Sequence, residues 1–134
     1  MGFSLAVLDT DILVALLKGS PDATERIRKL EEKNERVATT IITTYELLKG
    51  ASISSKPEEN LEKVRDVISS LQVLDLTLNA CEEASKIYRT LRENGNIIAD
   101  FDILIAAIAR TYDETIITRD EHFKSIQGTK HTEW

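Results

Sequence analysis

Leu5-Ala6-Val7-Leu8-Asp9-Thr10-Asp11 opens as an uncharged apolar run and closes on a pair of aspartates. Such a run suits a strand covered on both faces, as in a parallel sheet. A helical pattern follows without a gap, with Ile12, Leu13, Leu16 and Leu17 on one face. A strand that passes through a tight turn into a helix is the first half of a βαβ unit. In open α/β sheets, ligands bind beyond the carboxyl ends of the strands. Asp9 therefore stands where a ligand would be met, and the question is which other acids join it.

Working outward, Gly19 suits the C′ position of the first helix. Ser20-Pro21-Asp22 reads as an N-cap, a proline at N1 and a first-turn acid, so a second helix runs to about Asn34. Arg36 to Ile42 is β-branched and reads as the second strand. Thr43-Thr44-Tyr45-Glu46 opens a third helix, which Ser54-Ser55-Lys56-Pro57 breaks. A fourth helix starts at Pro57 with Leu61, Val64, Ile68 and Leu71 on one stripe. Val73-Leu74-Asp75-Leu76 is a short third strand, and the fifth helix after Thr77 turns Ala84, Ile87, Tyr88 and Leu91 inward. After Asp102, as far as Ala109, the chain is apolar all round, which marks a buried helix. Thr115-Ile116-Ile117-Thr118 is a fourth strand ending in Arg119-Asp120, and the tail from Ile126 to Trp134 adds a short edge strand. Alternating strands and helices over residues 1–134 predict one three-layer α/β domain with a mainly parallel sheet.

Composition narrows the function. The chain has 134 residues, 17 basic and 23 acidic, and a net charge of −6. That balance argues against non-specific binding of nucleic acid through a basic surface. It leaves open a nucleic-acid substrate held through metal ions and a local basic patch. Aromatic content is 5%, which argues against base-stacking platforms. No apolar run is long enough for a bilayer, and no basic segment precedes an apolar core, so no signal peptide is expected. Cys81 is the single cysteine and is expected to be a core or half-buried thiol. No internal disulfide is possible, which fits a cytoplasmic location.

Asp9, Glu46, Asp102 and Asp120 share a placement: each follows a strand or opens a helix on one expected side of the sheet. Each also has a purely structural reading. Thr43-x-x-Glu46 is a capping box, Asp100 and Asp102 suit a helix N-terminus, and Asp9 and Asp120 suit turns. If strands one and four are neighbours, however, all four carboxylates converge. Clustered carboxylates repel and resist burial unless a cation joins them. Hard oxygen ligands at an open site suit Mg²⁺ or Mn²⁺. Lys49 and Arg119 flank the acids and read either as phosphate contacts or as solvated surface charge, while Thr10 and Thr118 either orient a carboxylate or water or cap a turn. His122 and His131 lack a metal-ligand spacing and read as surface residues.

These motifs resemble the PIN-domain family, in particular the VapC-type toxins of toxin–antitoxin pairs. The resemblance rests on Val7-Leu8-Asp9-Thr10, Thr44-Tyr45-Glu46-Leu47, Asp102-Ile103-Leu104-Ile105-Ala106-Ala107, Ile117-Thr118-Arg119-Asp120 with Phe123, and the ending with Gly128 and Trp134. It implies a ribonuclease that needs Mg²⁺ or Mn²⁺, with Asp9, Glu46, Asp102 and Asp120 in the acidic positions and strand order 3-2-1-4-5. It also implies a homodimer, for which the helix after Pro57 is a candidate surface, and an antitoxin that blocks the site with an Arg-containing segment. Two residues depart from the pattern. Asp11 stands where Asn or Ser is common, and Asp100 is an extra acid beside Asp102.

Two other readings compete. Asp9-Thr10-Asp11 also looks like the Asp-x-Asp signature of haloacid-dehalogenase-type phosphohydrolases, with Asp9 as nucleophile and Asp11 as acid/base. Against it, Ile12 to Leu17 leaves no room for that fold's flap, and Leu13 stands where that signature prefers Thr or Val. A non-catalytic, protein-binding PIN module would cleave no RNA with Mn²⁺ and would tolerate Ala in place of its acids.

Overall fold

A computed structural model describes residues 4–134. Strands β1 (Leu5–Leu8), β2 (Arg36–Thr40), β3 (Gln72–Leu74), β4 (Thr115–Ile117) and β5 (His131–Thr132) form one sheet in the order 3-2-1-4-5. Every pairing in it is parallel. The helices are α1 (Thr10–Leu17), α2 (Pro21–Glu32), α3 (Ile41–Ser52), α4 (Pro57–Ser69), α5 (Leu78–Glu93) and α6 (Asp100–Thr111), with a 3-10 turn at Glu121–Ser125. The architecture is the α/β fold that the strand and helix pattern predicts.

The period of two in β1 divides the core. Ala6 and Leu8 face a cluster with Ile12, Leu13, Leu30, Leu47 and Val64, drawn from α1 to α4. Val7 faces the other way, toward Ala38, Leu74 and Ile108. A further cluster joins α5 and α6 to Ile116 and to the fully buried Phe123. The all-apolar reading of α6 holds, since Ile103 and the run Ile105 to Ala109 are buried.

The chain leaves β1 toward β2 on one side and returns at β4 on the other. The β1/β4 junction is therefore the topological switch point, where a crevice opens beyond the strand ends.

Several local expectations change. The second strand stops at Thr40, whose hydroxyl caps α3 by accepting the Thr43 N–H at 3.1 Å. The helix thus begins at Ile41, two residues earlier than expected, and the Thr43/Glu46 capping box does not form. Buried threonines prefer to bond local backbone, and here Thr40 reaches the helix first. Tyr88 and Cys81 are exposed rather than inward, because the buried stripe of α5 runs through Ala80, Ala84, Ile87 and Leu91. The α4 stripe packs into the same cluster as α1 and α3, with Val64 buried and Leu61, Ile68 and Leu71 half-buried.

Candidate active site

Asp9 leaves β1 and is the N-cap of α1, yet its carboxylate makes no capping bond. It is buried, with 4% of its surface exposed. The Thr118 hydroxyl donates to its Oδ2 at 2.6 Å. Burial pushes the Asp9 carboxyl up to about 7, hydrogen bonds from Thr118 and the Thr10 backbone oppose the shift, and the nearby charges of Asp11 and Asp102 add to it. A carboxylate this crowded is what a cation would relieve.

Asp102 enters from the first turn of α6. Its carboxyl is also raised, chiefly by burial and with a contribution from Asp120, against the hydrogen bond from His122. Asp120 follows β4 and caps the 3-10 turn, accepting the His122 N–H at 2.9 Å. That turn carries the His122 ring back over the acids. Its Nδ1 lies 2.9 Å from Asp102 Oδ2 and 3.2 Å from Asp120 Oδ1. The Asp102 contact, then the Asp120 charge, raise the His122 pKa. Asp102, Asp120 and His122 each offer a ligand atom, all within 4.8 Å of one another.

Glu46 projects from the second turn of α3. With no capping box to hold it, its Oε1 accepts the Thr10 hydroxyl at 2.9 Å. Thr10 thus ties Glu46 to the residue after Asp9, and Thr118 ties Asp9 to Asp120, whose N–H it accepts at 2.9 Å. Asp9, Asp102 and Asp120 are brought together through Thr118, His122 and their mutual charge, while Glu46 is held beside them on Thr10. Asp100 stands apart: it is exposed and makes no hydrogen bond or ion pair among the described residues. Asp11 is turned to the Arg119 backbone and the Trp134 indole. With both its oxygens engaged, and with α1 starting directly after Asp9, the phosphohydrolase reading loses both its acid/base and its flap.

Both flanking cations are exposed and lie against aromatic rings. The Lys49 ammonium sits 5.4 Å from the ring centroids of both Tyr45 and Phe101. Arg119 stacks on Trp134. Reading the sequence left His122 as a surface residue because its shorter contact, to Asp102, spans 20 residues of chain. The spacing Asp120-x-His122 is the one local signal.

The donor set fits a divalent cation. It combines carboxylate oxygens with one imidazole nitrogen, beside Asp9, whose carboxyl burial above all keeps from ionising freely. Alongside runs a mostly apolar groove of about 340 Å³ between α1, α3 and α4, lined by Val14, Leu17, Leu47, Ala51 and Val64 and opening at Glu46.

Comparison with known proteins gives the same grouping. The PIN domain family model matches residues 6–128. The tRNA(fMet)-specific endonuclease VapC of Salmonella typhimurium is 32% identical over 130 residues, covering 96% of each chain. Ribonuclease VapC2 of Rickettsia felis is 30% identical over 129 residues, again covering 96% of each. Among solved structures, DNA-bound VapBC from Salmonella typhimurium superposes with a TM-score of 0.89 at 30% identity, covering 99% of both chains. The chain belongs to the PIN-domain family, and within it to the VapC group.

Proposed function

We propose that this chain is a metal-dependent endoribonuclease and the toxin of a VapBC-type pair. What supports the reading is the grouping of Asp9, Asp102 and Asp120 at the switch point of a parallel sheet, with Glu46 held on Thr10 next to Asp9. Asp9, Asp102 and Asp120 would hold the ion, and His122 adds a nitrogen donor. Imidazole suits a transition metal better than Mg²⁺, so Mn²⁺ is the stronger candidate of the two. A bound divalent ion would supply Lewis-acid polarisation of the scissile phosphate and a more acidic attacking water. Thr118 and Thr10 hold Asp9 and Glu46 in place, and Glu46 is positioned to orient the nucleophile or accept its proton. A carboxylate set of this kind needs no covalent intermediate.

The specificity named for the Salmonella relative makes an initiator tRNA the first substrate to assay. Purified protein should cut it with Mn²⁺ and stop on chelation, and Asp102→Asn should leave no cleavage. A wild-type chain that cuts no RNA with Mn²⁺ would favour the protein-binding module instead.

Solved relatives include VapBC assemblies, one of them described as a member of a family of toxin-antitoxin systems, and we infer an antitoxin partner for this chain too. An acidic cleft that opens onto an apolar groove fits a segment with Arg flanked by aliphatic or aromatic residues. Replacing that Arg with Ala should cost roughly 2–5 kcal/mol of affinity, the range for truncating one partner of a buried charge pair. Raising Mn²⁺ should weaken the complex, since ion and guanidinium compete for the same oxygens. A titration in which neither change alters the binding isotherm would place the contact elsewhere.

The homodimer is part of the proposal. Its candidate surface remains the α4 stripe, where Val64 is buried but Leu61, Ile68 and Leu71 keep part of their surface exposed. Light scattering that finds only monomer at high concentration would count against it. No helix of the described residues is long and apolar enough to cross a membrane, and a cytoplasmic site of action follows from the RNA substrate.

A further inference from the structure

Next to the acids lies a second network, centred on Asp11. Its Oδ2 accepts the Arg119 backbone N–H at 2.7 Å, and its Oδ1 accepts the Trp134 indole N–H at 3.1 Å. The Arg119 guanidinium lies 3.5 Å from the centroid of the Trp134 ring, and its Nε donates to the Trp134 carbonyl at 2.7 Å. Asp11 thus pins the peptide between Thr118 and Arg119, while Arg119 and Trp134 grip each other around it.

Thr118 is what that peptide positions. Its hydroxyl carries one proton and has two carboxylates in reach, Asp9 at 2.6 Å and Asp11 at 3.2 Å. The shorter contact is to Asp9. The same oxygen accepts the Asp120 N–H, so one buried threonine sets the spacing of two acids. Any shift of the Thr118–Arg119 peptide would move both.

We propose that Asp11, Arg119 and Trp134 form a latch that positions Thr118, and through it Asp9 and Asp120, for ion and substrate. The inference rests on the ribonuclease reading above. The three are positioning residues. Both Asp11 oxygens already face donors, and Arg119 is held against Trp134 with Asp22 3.8 Å away. The departure of Asp11 from the family pattern thereby gains a purpose: a full carboxylate accepts from two donors at once, where an amide has one acceptor oxygen. The competing view is a tail tied down for stability alone.

The variants Asp11→Asn, Trp134→Phe and their combination separate the two. Asn keeps one acceptor but sets an NH₂ group against a donor on its other side. Phe keeps an aromatic ring under Arg119 and removes the indole donor. Each single variant should lose about ten- to a hundredfold in Mn²⁺ affinity by calorimetry and in kcat, the range for groups that orient ligands, with KM for RNA unchanged. In the combination the Asn NH₂ can turn to where the indole donor was, so the double variant should be no worse than Asp11→Asn. Trp134 is the only tryptophan, so its emission should respond to Mn²⁺ in the wild type and lose that response in Asp11→Asn. Variants that bind Mn²⁺ and turn over RNA like wild type, with only Tm lowered, would overturn the latch and leave the ribonuclease standing. A wild-type chain with neither Mn²⁺ response nor cleavage would overturn both.

Discussion

Replacing Asp9 with Asn is expected to abolish RNA cleavage and, in metal-free buffer, to stabilise the fold at neutral pH. Both effects come from one buried carboxylate. In the native state its carboxyl titrates at about 7, against an ordinary value of 3.8. Between those limits the native protein keeps a proton that the unfolded chain has released, so wild-type stability falls as pH rises from about 4 to 7. Below pH 4 both states are protonated and nothing is lost. A gap of about three pKa units corresponds to at most about 4 kcal/mol. Asn carries no titrating proton and lacks that slope. Urea unfolding of both proteins in chelator should therefore give nearly equal stabilities at pH 4 and a more stable variant at pH 8. Parallel curves across that range would show that Asp9 is solvated and free, and would remove the physical case for a cation beside it. Full cleavage by the variant would remove Asp9 from the chemistry.

Divalent metal is expected to do the reverse to the wild type: raise its Tm, more at pH 8 than at pH 5. An ion that binds only the native state stabilises it by about 2.7 kcal/mol at a hundredfold excess over Kd. At pH 8 the ion meets an Asp9 carboxylate that is already ionised and crowded, whereas at pH 5 it must displace the proton that burial holds on Asp9. Mn²⁺ should outperform Mg²⁺, because His122 offers nitrogen within 2.9 Å of an Asp102 oxygen. Differential scanning calorimetry on the Asp9→Asn, Asp102→Asn double variant provides the control. A metal-induced rise that persists there would move the ion to another part of the molecule.

The behaviour of α3 illustrates how far the sequence could be read. Its existence follows from the helix-opening run Thr43-Thr44-Tyr45-Glu46, and the break at Ser54 to Pro57 ends it as expected. Its start does not follow. Thr40, Thr43 and Glu46 offer two caps of similar merit, and only the packing of Thr40 at the end of β2 decides between them. The outcome matters for the site, because a Glu46 spent on a capping box could not reach Thr10. The same holds for Asp100 and Asp102. Both suit a helix N-terminus, and the helix rotation, set by burial of Ile103, Ile105 and Ala106, turns Asp102 to the crevice and leaves Asp100 in solvent.

By itself the sequence determined the alternation of strands and helices, the buried character of β1 and α6, and the identity of four acids at strand ends and helix starts. Those features are local: they are written in the period of the apolar residues and in charge placed next to turns. The tertiary structure decided what no local pattern encodes. It set β1 beside β4, brought His122 from a 3-10 turn onto Asp102 across 20 residues of chain, and joined Asp11 to Trp134 across 123. Contacts of that span depend on the summed packing of the elements between them. They are therefore absent from any window of sequence short enough to carry a helix or strand signal.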